Sequence, residues 1–130
     1  MRDRVLIVDD EDAILFAMRE YFSMRGFDVD FTGQRDEALA FLERRSYAAV
    51  IADLRLTGSQ STEGLELADR VRERWPTTRV ILLTAYGSPR TEAEARKRGV
   101  HAFLNKPHPL PDLVQIVLDL VAAHRPGPGV

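Results

Sequence analysis

The sequence predicts an α/β domain, a parallel five-stranded sheet with helices on both faces. Three observations carry this. Val5-Leu6-Ile7-Val8, Ala49-Val50-Ile51-Ala52 and Val80-Ile81-Leu82-Leu83 are short and apolar without alternation, as strands covered on both sides must be. A fourth such run spans Val100 to Leu104 around His101, and a fifth, Phe27 to Phe31, alternates with Asp28 and Asp30. The segments between the runs are the right size for helical crossovers, which are right-handed almost without exception.

Each element has its own signal. Val5–Val8 is the first strand, followed by the acidic run Asp9-Asp10-Glu11-Asp12. Ile14, Met18, Tyr21 and Phe22 repeat at helical spacing, so a helix is expected from about Asp12 to Met24. Acidic residues at its start suit the positive end of its dipole, and Gly26 suits its end. The alternation of Phe27 to Phe31 indicates a strand nearer the sheet edge, with one face wetter than the other. Thr32-Gly33 turns the chain into a helix from Gln34 to about Arg44, which buries Ala38 and Leu39, with Phe41 and Leu42 as further candidates. The central strand then ends at Asp53. Arg55 to Thr62 reads as a polar loop, with Ser61 or Thr62 as a cap for the next helix. Leu65, Ala68, Val71 and Arg72 set that helix's period, Trp75 packs at its end and Pro76 stops it. Thr78–Leu83 is the fourth strand. Ser88-Pro89 signals a helix start, but the helix through Ala93, Ala95 and Arg96 has few large apolar residues and is weakly anchored. After the fifth strand, Leu110, Leu113, Val114, Val117, Leu118 and Val121 form a long amphipathic helix.

Composition narrows the function classes. The 130 residues suit one domain, with 45% apolar and 29% charged residues. The net charge of -2 supplies no global attraction to nucleic acid or anionic membrane. Cysteine is absent, which removes disulfide and thiolate chemistry and is compatible with an intracellular setting. No apolar segment is long enough for a signal-peptide core or a membrane span.

The polar residues at the strand ends carry the chemistry. Asp9 and Asp10, Asp53, Thr84 and Lys106 follow different strands, and parallel strands bring those ends to one edge. Taken singly, each has a plain reading. Asp10 or Asp12 serves as a helix cap, Asp53 and Thr84 as turn residues, and Lys106 as a solvated cation. Taken together, three carboxylates in one hollow repel one another. A hard divalent cation relieves that repulsion, and Mg²⁺ accepts carboxylate, water and phosphate oxygens. One carboxylate is then available as a nucleophile toward phosphorus, with Lys106 and Thr84 to meet the phosphoryl oxygens. His101, His108 and His124 are scattered and are not read as metal ligands.

From Val5 to about Ala123 the chain resembles the receiver domain of two-component response regulators (the CheY-like fold). The resemblance rests on Leu6-Ile7-Val8-Asp9-Asp10-Glu11, Asp53-Leu54, Gly64-Leu65-Glu66-Leu67, Leu83-Thr84-Ala85-Tyr86-Gly87, Gly99, Ala102-Phe103-Leu104 and Lys106-Pro107. It implies a doubly wound, flavodoxin-like sheet of order 2-1-3-4-5. It also implies a receiver domain over residues 1–123 and a flexible tail or linker stub over 124–130. By the same resemblance Asp53 is the phosphoacceptor, Thr84 the switch hydroxyl and Lys106 the lysine that pairs with the phosphoryl group. Asp9 and Asp10, with Asp53 and the Arg55 backbone carbonyl, are the Mg²⁺ ligands. Tyr86 is the aromatic switch residue, and Pro107 is a candidate cis proline.

The implied phosphodonor is a histidine kinase or a histidine phosphotransfer protein in the cytoplasm. An output domain or downstream protein and a homodimer are further family partners, with no direct nucleic-acid or membrane binding by this domain. The domain would assist its own phosphotransfer and autodephosphorylation without being a dedicated enzyme. The sequence departs from the family pattern after Asp53. Thr57 stands at the usual proline position, and Gly64 lies about three residues later than the usual glycine. That departure supports the alternative, a protein-interaction module with a receiver fold that signals without phosphorylation.

Overall fold

The structure is a computed structural model that describes residues 3–54, 63–85 and 87–124. Strands and helices alternate along the described residues: β1 (Arg4–Val8), α1 (Asp12–Met24), β2 (Asp28–Thr32), α2 (Arg35–Arg44), β3 (Ala49–Asp53), α3 (Glu63–Arg74), β4 (Arg79–Thr84), α4 (Pro89–Lys97), β5 (Ala102–Asn105) and α5 (Leu110–His124). The sheet is parallel throughout, in the order β2-β1-β3-β4-β5. This is the doubly wound architecture expected from the sequence.

Strand period explains the two cores. Successive side chains leave a strand on opposite faces. Val5, Ile7, Ala49, Ile51, Ile81 and Leu83 therefore pack with Leu15, Met18 and Phe22 of α1 and Leu113, Val114 and Val117 of α5. Leu6, Val8, Val50, Ala52, Val80 and Leu82 pack on the other face with Ala38 and Leu42 of α2, Leu65, Ala68 and Val71 of α3, and Ala95 of α4. Each fully buried Val, Leu or Ile contributes about 1.5–3 kcal/mol of transfer free energy.

The edge strand β2 is only partly covered. Phe27 is buried and Val29 is half-buried, but Phe31 is 41% exposed. The Arg19 guanidinium lies 5.5 Å from the Phe31 ring centroid and covers part of it. On the opposite face, Asp30 accepts hydrogen bonds from Tyr47 Oη at 2.6 Å and Arg45 at 3.1 Å.

Three strands sit one or two residues later than expected, the second being Asp28–Thr32 rather than Phe27–Phe31. The fourth is Arg79–Thr84 rather than Thr78–Leu83, and the fifth is Ala102–Asn105 rather than Val100–Leu104. Pairing decides the β4 and β5 limits. Ile81 stands opposite Ala102 and Thr84 opposite Asn105, so the ladder begins after His101 and takes in Thr84. His101, just before the strand, bonds to Val80 twice, its N–H donating to Val80 O at 2.8 Å and its Nδ1 accepting from the Val80 N–H at 3.0 Å. The α4 start is as expected, with Ser88 Oγ accepting from the Thr91 N–H at 3.2 Å and Pro89 in the first turn. Gly99 follows this helix at φ +89, a left-handed conformation that glycine adopts without strain. The Ser61 or Thr62 cap falls outside the described residues.

Candidate active site

Register carries the strand-end residues together. Val8 pairs with Ala52, so Asp9 follows β1 at the level of Asp53 on β3. Asp53 pairs with Leu83, one residue before Thr84. Thr84 pairs with Asn105, one residue before Lys106. Backbone bonds continue the ladders past the strand ends. The Asp9 N–H donates to Thr32 O at 3.0 Å, Leu54 N–H to Leu83 O at 3.0 Å and Lys106 N–H to Thr84 O at 2.8 Å.

Lys106 Nζ donates to Asp9 Oδ2 at 2.6 Å and to Asp53 Oδ2 at 3.1 Å. A third, longer contact reaches Glu11 Oε1 at 3.4 Å. Lys106 is therefore a largely covered counter-ion, not the solvated cation of its plain reading. Burial lowers its pKa, but the hydrogen bonds and charges of Asp9 and then Asp53 outweigh burial, so the pKa lies above the ordinary lysine value. Asp9 also accepts from the Glu11 N–H through Oδ1 at 2.9 Å, which holds its carboxylate from two sides. The cap position of α1 is Glu11, with no side-chain cap bond, and Asp12 is already in the first turn, so neither Asp10 nor Asp12 is the cap residue.

Asp9, Asp10 and Asp53 each bring a carboxylate oxygen to within 4.8 Å of the others. Asp9 and Asp53 are buried, and Asp10 is exposed at the mouth. The three carboxylates face one ammonium, and every donor is a hard oxygen. The set fits a divalent cation that prefers oxygen ligands. Asp53 itself is 8% exposed, so little of it meets solvent. Thr84 is fully buried at the end of β4, beside the hollow. The Lys106–Pro107 peptide bond is cis. Arg55 and Tyr86, expected as a metal ligand and a switch residue, lie outside the described residues.

Two glycines have roles that spacing alone does not reveal. A Cβ on Gly64 would lie 2.5 Å from the Asp53 carbonyl oxygen and 2.6 Å from Leu54 Cα. The start of α3 thus rests directly on the backbone after Asp53, with the Gly64 N–H donating to Leu54 O at 3.0 Å. A Cβ on Gly87 would meet the Asn105 side chain, and would lie 3.0 Å from the Phe103 ring and 3.1 Å from Thr84 Cγ2. Gly87 lets the chain after β4 close over Thr84. Glu11 was also not singled out in the sequence, because a third acid at a helix start has an ordinary reading there.

Comparison with known proteins decides the family. A family model described as the response regulator receiver domain matches residues 5–118. The chain belongs to that family. Among curated relatives, the photosynthetic apparatus regulatory protein RegA of Rhodobacter capsulatus is 32% identical over 124 residues, covering 95% of this chain and 66% of the relative. The response regulator FleR of Pseudomonas aeruginosa is 32% identical over 127 residues, covering 98% of this chain and 25% of the relative. The chain thus spans less than two thirds of the length of either. A response regulator from Thermotoga maritima matches with a TM-score of 0.82 at 28% identity, over 94% of this chain and 99% of that one. A receiver domain protein from Methanospirillum hungatei shares the fold with a TM-score of 0.87 at 23% identity, over 95% of this chain and 97% of that one. The receiver domain thus carries its acidic triad where a phosphoaccepting, metal-binding site requires one. Among the described residues, no helix is long and apolar enough to cross a membrane.

Proposed function

We propose that Asp53 is the phosphoacceptor of a two-component signalling switch. The observation that supports this most is the pairing of one ammonium, Lys106, with both Asp9 and Asp53 in a hollow lined by three carboxylates. In the reaction, an Asp53 carboxylate oxygen attacks the phosphorus of a phosphohistidine. The phosphorus–nitrogen bond breaks as the acyl phosphate forms, and the histidine departs with the electron pair and takes a proton. Lys106 stays beside Asp53 and balances the charge on a phosphoryl oxygen. Thr84 donates its hydroxyl hydrogen to another phosphoryl oxygen. Asp9, Asp10 and Asp53, with the Arg55 carbonyl, would hold Mg²⁺, which supplies charge neutralisation for the phosphoryl group when bound.

The donor would be a histidine kinase or a histidine phosphotransfer protein in the cytoplasm. Thr84 turning toward the phosphoryl group, with Tyr86 following, would pass the change to the α4, β5 and α5 surface. An output domain, a downstream protein or a second copy would read that surface. Residues 1–123 would act as the receiver unit, with 124–130 as a tail or linker stub.

Intact mass after incubation with acetyl phosphate and Mg²⁺ tests this. The expected result is a gain of one phosphoryl group that is lost in Asp53→Asn and in EDTA. A folded protein with no adduct, and no Trp75 or tyrosine response to beryllofluoride and Mg²⁺, would favour a phosphorylation-independent interaction module instead.

A further inference from the structure

Lys106 faces three carboxylates, and the third lies outside the acidic triad. Its Nζ is 2.6 Å from Asp9 Oδ2, 3.1 Å from Asp53 Oδ2 and 3.4 Å from Glu11 Oε1. Asp9 and Asp53 are buried, but the Glu11 side chain is 58% exposed. Glu11 stands at the start of α1, where its side chain makes no cap bond and its N–H donates to Asp9 Oδ1 at 2.9 Å. Its backbone is thus fixed beside the hollow, while its carboxylate is left at the rim.

Two cations compete for the same oxygens. Asp9 already accepts on both of its oxygens, from the Glu11 N–H on Oδ1 and from Lys106 on Oδ2. A divalent ion seated on Asp9, Asp10 and Asp53 draws on those carboxylates and repels the ammonium at short range. Lys106 must then loosen its hold on Asp9. Its flexible four-carbon stem lets the ammonium shift, and Glu11 Oε1 is a carboxylate oxygen already within reach that the ion does not claim. The exposed Glu11 side chain can follow the ammonium without disturbing buried packing.

We propose that Glu11 is a positioning residue, a second anchor to which Lys106 shifts its grip when a divalent cation claims Asp9 and Asp53. This rests on the reading of Asp9, Asp10 and Asp53 as the metal ligands. Glu11 lowers the cost of admitting the ion, because Lys106 exchanges one carboxylate for another. It also keeps the ammonium beside Asp53, where a phosphoryl oxygen would meet it.

Calorimetric titration of the full chain with Mg²⁺ tests this. Glu11→Gln should weaken Mg²⁺ binding about two- to fivefold, the change that an exposed ion pair supplies. In a Lys106→Met background the same substitution should change the affinity by less than about 1.5-fold, because its effect runs through the lysine. Asp12→Asn removes a neighbouring acid from the first turn of α1 and should also leave the affinity within about 1.5-fold, since screening weakens longer-range charge effects. A second readout needs no substitution. The chain has two lysines, Lys97 and Lys106, so ¹³C-labelled lysine gives two side chains to follow by NMR. Mg²⁺ should strengthen the cross-peak between the Lys106 Hε and Glu11 Hγ protons and leave Lys97 unmoved. Unchanged binding in Glu11→Gln, an equal loss in the Lys106→Met background or in Asp12→Asn, or a cross-peak that weakens with Mg²⁺ would each overturn this inference alone. Absence of Mg²⁺ binding by the unchanged protein would overturn it together with the metal reading of the site.

Discussion

Lys106 shows how one side chain sets the charge balance of the hollow. Its ammonium offsets the repulsion between Asp9 and Asp53, and the two carboxylates hold its pKa above the usual 10.5. A cation whose pKa is raised on folding stabilises the fold fully below its unfolded pKa. That contribution is lost as pH rises through the folded value. Lys106→Met should therefore cost about 1.5–3 kcal/mol at neutral pH without divalent cations, the range for hydrogen bonds to charged groups. In urea denaturation the gap between the two proteins should hold up to about pH 10 and narrow above it. Tyr47 adds a parallel loss in both. Burial raises its pKa most, and its hydrogen bond to Asp30 raises it further. None of this can be read from Lys106 in isolation, because an isolated lysine before a proline reads as solvated.

α4 and α5 differ as elements in how they are held. α5 buries Leu113, Val114 and Val117 against the sheet, whereas α4 buries Ala95 alone. What α4 has instead is polar. Ser88 caps its start, and Arg98 after its end reaches Asp69 on α3 at 2.8 Å. An exposed ion pair of this kind adds only about 0.2–1 kcal/mol. Amides of α4 should accordingly exchange with solvent sooner than those in the middle of α5, as native-state hydrogen exchange would measure. Ser88→Ala should cost about 0.5–2 kcal/mol and widen that difference. The weak anchoring was legible in the sparse apolar residues of Pro89 to Lys97. The tie to Asp69 was not, because it joins residues 29 apart in the chain.

Across the whole molecule the sheet is one wall shared by two cores. Leu82 is fully buried in the core under α2 and α3, and Ile81 faces the one under α1 and α5. Leu82→Ala should cost about 2–5 kcal/mol in urea unfolding, since it removes buried atoms and leaves a cavity. Phe16, 62% exposed on α1, should tolerate alanine within about 0.5 kcal/mol. If the two substitutions cost the same, the division into a shared wall and outer helix faces is wrong.

The unbroken apolar runs, the helical periods and the acids at the strand ends were all present in the residue order. They carry the number of elements, the parallel sheet and the identity of Asp9, Asp10, Asp53, Thr84 and Lys106 as the residues to watch, because strand and helix periods are local properties. Distances are not local. The grip of Lys106 on Asp9 joins residues 97 apart. The clearances at Gly64 and Gly87 depend on which backbone lies opposite. The β4 and β5 limits follow from pairing, and the reach of Lys106 to Glu11 spans 95 residues. Packing in three dimensions decides these, since each needs partners that the chain brings together only on folding.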